Sequence, residues 1–142
     1  MRPAFGAAIC SVVLSSLSAQ PPEPTTACIE RLQIPSYPPL GRAARLFGVV
    51  VATTTLNSDG TIKSISTQME SGSVSASKFF TSAVESALRS SLFTRACDDK
   101  PLKLIFNFVL TQDSLPNGDA QSVSFGYPNR FWIMVPPNLV DH

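Results

Sequence analysis

Two runs of extended-chain residues meet at one polar turn. Val49 to Leu56 is largely β-branched, with Val50, Ala52, Thr54 and Leu56 on one parity and Val49, Val51, Thr53 and Thr55 on the other. Such residues lose little by extending and pack well on a pleated surface. Asn57-Ser58-Asp59-Gly60 interrupts the run. Asn and Asp side chains bond their own backbone and Gly60 is free to take a positive φ, so the tetrad predicts a tight turn. Thr61 to Met69 returns to strand-like composition and completes a β-hairpin. Ile62 and Ile65 have opposite parity, which calls for a bulge or register change between them. Glu70-Ser71-Gly72 reads as a second turn.

A lone hairpin is marginal in water, so one face needs cover. Phe79, Phe80, Ala83, Val84, Ala87, Leu88 and Leu92 recur at helical spacing. They predict an amphipathic helix of about four turns, opened by an N-cap at Ser75 or Ser77. Lys78, Glu85 and Arg89 fall on its wet side, with Glu85 and Arg89 an i, i+4 pair. Leu102 to Leu110 alternates again, with Leu102, Leu104, Phe106 and Phe108 on one side and Lys103, Ile105, Asn107 and Val109 on the other. It predicts a third strand beside the hairpin. Upstream, the prolines of Pro35-Ser36-Tyr37-Pro38-Pro39 hold the chain extended. A short helix is expected over Leu40–Phe47, with Leu40, Ala43, Ala44 and Phe47 as its apolar side and Arg42 and Arg45 solvated. Downstream, Leu115–Asp119 reads as a turn. Ser122–Phe125 and Arg130–Val135, joined by Gly126-Tyr127-Pro128-Asn129, read as a second hairpin rich in aromatics: Phe125, Tyr127, Phe131 and Trp132. These rings are expected to cover a face or edge of the sheet; a ligand surface is the sharper reading.

Composition narrows the class. With 142 residues, 44% hydrophobic and 15% charged, the chain has the size and balance of one globular domain. A net charge of +1 gives no electrostatic case for nucleic acid. Met1–Ala19 reads as a secretory signal peptide: Arg2 in the n-region, Phe5–Leu17 apolar and small, and a cut before Gln20. The alternative is an uncleaved anchor, the one case in which membrane association is expected. Residues 20–32 then read as linker, 33–110 as the domain and 111–142 as a C-terminal β-hairpin extension.

Removing the signal leaves Cys28 and Cys97. In an exported chain an even pair points to a structural disulfide; free thiols and a metal site are the alternatives. There is no CxxC, and the only histidine is His142, so four zinc ligands do not assemble. Neither a Ser-His-Asp set nor HExxH, GxGxxG or a P-loop is present. No cofactor and no catalysis are expected.

The ordered set Pro-x-Tyr-Pro, short helix, Gly-Val-Val-Val, Asp-Gly-Thr-Ile, Ser-Gly, helix, Phe, strand resembles the TonB C-terminal domain family over about residues 33–110. The matching positions are Pro35, Tyr37 and Pro38; Ala43 and Ala44; Gly48 to Val51; Asp59, Gly60 and Ile62; Ser71 and Gly72; Ala83, Ala87 and Arg89; and Phe93. The resemblance implies an α+β fold, a small antiparallel sheet packed by two helices. It also implies a periplasmic domain that pairs with a peptide of an outer-membrane receptor and passes on energy from the inner-membrane proton gradient. Three features depart from the family. Ser91 stands where a tryptophan is common, the two cysteines lie outside the pattern, and roughly fifteen residues of spacer reach only about 50 Å.

Two functions follow as expectations. In the first, the chain is a TonB-type transport accessory whose sheet edge accepts an extended peptide. Leu102–Leu110 would be that edge, presenting Lys103, Ile105, Asn107 and Val109, with Pro35 and Tyr37 near the receptor. In the second, it is a disulfide-stapled exported interaction module without energy coupling, its partner again a protein.

Overall fold

The computed structural model describes residues 25–98, 100–112, 115 and 121–137. The expected signal peptide lies outside them, as does most of the expected turn at 115–119. The predicted hairpin is present. β2, Gly48–Leu56, pairs antiparallel with β3, Ile62–Gly72. Between them the Asn57 N–H donates to the Thr61 carbonyl at 2.7 Å, and Asp59 Oδ1 accepts the Thr61 N–H at 2.9 Å. Gly60 sits at φ 86°, where a Cβ would come 2.7 Å from the Phe93 carbonyl oxygen.

The ladder shifts register where the isoleucine parity required it. Leu56 faces Ile62 and Thr55 faces Ser64, leaving Lys63 bulged. A second shift leaves Glu70 bulged, between the pairs Val50–Met69 and Val49–Ser71. Glu70–Gly72 is therefore the end of β3 and not the turn expected there. Gly72 closes the strand against Gly48, where a Cβ would lie 2.4 Å from the Gly48 Cα.

α2, Ser77–Arg89, buries Phe80, Val84, Ala87 and Leu88 on the hairpin. Its N-cap position is Ala76, and neither Ser75 nor Ser77 caps it, because a 3-10 turn at Val74–Ala76 feeds directly into the helix. Glu85 does not simply face water; it accepts the Thr67 hydroxyl at 2.6 Å. The first helix, α1, is only Pro39–Ala43 and faces the other way round from expectation. Gly41 is buried against the Phe80 ring and Leu40 is 66% exposed. Arg45, at φ 54°, ends the helical path.

The main sheet runs β3-β2-β5-β7-β6, with β5 at Leu102–Leu110, β6 at Ser122–Gly126 and β7 at Arg130–Val135. β5 lies antiparallel to β2, as expected, but β7 lies parallel to β5. The α+β class holds; the sheet is mixed rather than wholly antiparallel. Tyr37, Phe80 and Phe108 form the aromatic centre of the core, with Phe80 stacked on Phe108 at 4.5 Å and Tyr37 edge-on to both.

Residues 25–32, read as linker, are part of the structure. β1, Ile29–Arg31, pairs with β4, Leu92–Phe93, in a second small sheet. Cys28 and Cys97 form the disulfide that clamps it, 69 residues apart in the chain. Closing a loop of that size restricts the unfolded chain by roughly 4 kcal/mol in the entropic account. Ser91 also holds this segment. Its hydroxyl donates to the Ala87 carbonyl and accepts the Gln33 N–H, both at 2.9 Å.

Candidate interaction surface

β5 is not an edge. Gly48–Thr54 of β2 runs along one side of it and Arg130–Val135 of β7 along the other, from Ile105 to Leu110. The β6–β7 turn extends the cover: the Ile105 N–H donates to the Asn129 carbonyl at 2.9 Å, and Asn129 Nδ2 donates to the Lys103 carbonyl at 2.8 Å. The chain's own C-terminal hairpin occupies the place where an incoming strand was expected.

Lys103, Ile105, Asn107 and Val109 do share one face of β5, the face turned away from α2. Lys103 is exposed and Asn107 is 7% exposed. Asn107 Nδ2 donates to the Phe131 carbonyl at 3.1 Å, and the Asn107 Oδ1 accepts from Arg130 Nη1 at 3.3 Å. An alternation of apolar and polar positions marks Asn107 as outward; only the neighbouring strand reveals it as a clamp. The same face carries Val49 and Val51 of β2 and Trp132 and Met134 of β7, all half-buried. Trp132 leans over Gly126, where a Cβ would fall 2.4 Å from its ring.

Pro35 and Tyr37 belong to the opposite face, so the structure does not bring them together with the β5 residues. Both are buried. The Tyr37 hydroxyl donates to the Leu46 carbonyl, and burial pushes its phenol up to about 12. The Tyr37 N–H donates to Gln121 Oε1 at 2.8 Å, and Gln121 Nε2 donates to the Pro35 carbonyl at 3.3 Å. Arg42, expected to be solvated, donates from Nε to the Pro136 carbonyl at 2.7 Å. Both contacts tie the N-terminal segment to the C-terminal extension, a role that residue spacing does not announce.

Among the described residues the outer edges of β3 and β6 have no strand partner, and shallow grooves lie on the surface. One groove, about 240 Å³, lies between Ile29 and Leu32 on one side and Phe125 and Phe131 on the other. Another, about 360 Å³, runs between Gln33–Ser36 and Ala83, Ser86, Ala87 and Ser90 of α2. Among the described residues no group of three or more His, Cys, Asp or Glu side chains is placed to hold a metal. Compared with models of known protein families, with curated proteins and with solved structures, the chain matches none.

Proposed function

We propose that the chain is an exported, non-catalytic protein-interaction module of the cell envelope, stapled by Cys28–Cys97. It keeps a TonB C-terminal-like order of elements without transmitting energy to a receptor. One observation carries this reading: β5, the strand that would receive a receptor peptide, is hydrogen-bonded along both sides within the chain. Opening that position requires the β6–β7 hairpin to leave, against the Asn107, Asn129 and Arg42 bonds that hold it. The disulfide supports an oxidising compartment, periplasmic or extracellular. No helix of the described residues is long and apolar enough to cross a membrane.

A second reading, a TonB-type transport accessory that binds a receptor peptide, finds its support in β6, the outer strand among the described residues, where an extended peptide could still add. Intact mass on fractionated cells separates the two. A soluble envelope species that starts at Gln20 and takes up alkylating reagent at two thiols only after reduction supports the module. A full-length species in the inner-membrane fraction overturns it in favour of the transport reading.

A further inference from the structure

The two outer strands of the sheet are built differently. β3 carries two charged side chains, Lys63 and Glu70, and these are the two residues its ladder leaves bulged. Charges and bulges on an outer strand are the usual guard against pairing with another chain. β6, Ser122–Gly126, has neither. Its five residues are uncharged and its ladder to β7 runs without a shift. Val123 and Phe125 are 41% and 49% exposed. Their cross-strand partners, Ile133 and Phe131, are buried, so the core face of the sheet continues onto β6, where among the described residues no further strand pairs with it.

We propose that β6 is the docking edge for a second copy of this chain, pairing antiparallel with its own counterpart about a two-fold axis at Ser124. The strand is self-complementary in that register. Antiparallel pairing centred on Ser124 sets Val123 opposite the second copy's Phe125, and Phe125 opposite its Val123. The two exposed apolar positions lie two residues apart and so share a face, and each meets the other at cross-strand contact distance. Ser122 meets Gly126, and Ser124 meets itself. No like charges face one another, which is the ordinary penalty when a strand pairs with its own copy. The apolar groove at Ile29, Leu32, Phe125 and Phe131 opens beside these pairs, giving the added side chains apolar surface to lie against. The two five-stranded sheets then run on as one. An edge this short covers less than the ~1,200 Å² of a stable interface, so the association is weak and depends on concentration. The proposal stands on the edge geometry and not on the exported-module reading.

The test uses the full chain in a Cys10→Ser background. Ser124→Cys places a thiol on the axis, opposite its own copy; Ser66→Cys places one on the guarded edge. Under mild oxidation Ser124→Cys gives reducible covalent dimer at least about tenfold faster than Ser66→Cys, because pairing holds the two thiols at an effective concentration near millimolar. In sedimentation equilibrium the unmodified chain gains weight-average mass with concentration, and Val123→Lys, which sets an ammonium against Phe125, loses that gain. Equal cross-linking of the two cysteine variants overturns the proposal. So does self-association that Val123→Lys leaves untouched, or an unmodified chain that stays monomeric throughout.

Discussion

Asn107 and Phe131 are joined across the only parallel strand pair of the described sheet, the side-chain amide of one donating to the backbone carbonyl of the other at 3.1 Å. Asn107 also holds Arg130, so one side chain fastens the start of β7. Asn107→Ala removes both side-chain bonds and is expected to cost roughly 0.5–1.5 kcal/mol for each. The loss should be local: amide hydrogen exchange should speed up in β6 and β7 more than in β2. Uniform acceleration through the sheet would deny Asn107 its role as hairpin clamp.

Thr54 is fully buried on the core face of β2, and its hydroxyl has no hydrogen-bond partner. A hydroxyl buried without a partner costs on the order of 1–3 kcal/mol on protein scales. Thr54→Val keeps the shape and removes the polar atom, so it should raise the denaturation midpoint with an unchanged slope. A lower midpoint would mean that the hydroxyl has a partner in solution.

The Cys28–Cys97 bond closes a 69-residue separation and clamps β1 against β4. Cys28→Ala with Cys97→Ala should lower stability by up to roughly 4 kcal/mol. Ile29 and Leu32, held beside Phe125 and Phe131, should then become accessible to protease before the sheet does. Equal stability with and without the bond would show that packing alone secures the N-terminal segment.

Tyr37 gives a pH test. Burial raises its folded pKa from 10.0 to about 12. Above pH 10 the unfolded chain loses this proton while the folded chain keeps it, so stability is intact below pH 10 and falls as pH rises from 10 towards 12. Tyr37→Phe should be less stable at neutral pH, with the Leu46 carbonyl unpaired. Its stability should fall less steeply across that alkaline window. Parallel unfolding curves from pH 9 to 12 for the two proteins would contradict this assignment.

Local chemistry made part of the structure legible. Asn57-Ser58-Asp59-Gly60 and the β-branched run around it specify a hairpin, and the parity break between Ile62 and Ile65 marks the bulge at Lys63. Cysteine number pointed to the disulfide. Pairing between distant strands was not legible. The alternation of Leu102–Leu110 tells which side chains share a face but not how many neighbours the strand has, and only the parallel arrival of β7 makes β5 interior. The short helix failed for a different reason. The spacing of Leu40, Ala43, Ala44 and Phe47 is helical, but the helix stops at Ala43 and it is Gly41 that packs against Phe80, so the four never form one buried stripe. Of the expected site, Lys103, Ile105, Asn107 and Val109 share a face as their parity requires. Pro35 and Tyr37 lie across the sheet from them, because Tyr37 packs on Phe108, whose side chain points to the other side.

The C-terminal hairpin closes the β5 position to an incoming strand. Amide-resolved NMR on the full chain, titrated with candidate outer-membrane receptor peptides, tests this most directly. The β5 amides from Ile105 to Leu110 should keep their shifts and their hydrogen-exchange protection at every peptide concentration. Peptide binding that shifts β5, and deprotects β7 as it does so, would show that the hairpin yields its place and that β5 is the receptor-binding strand after all.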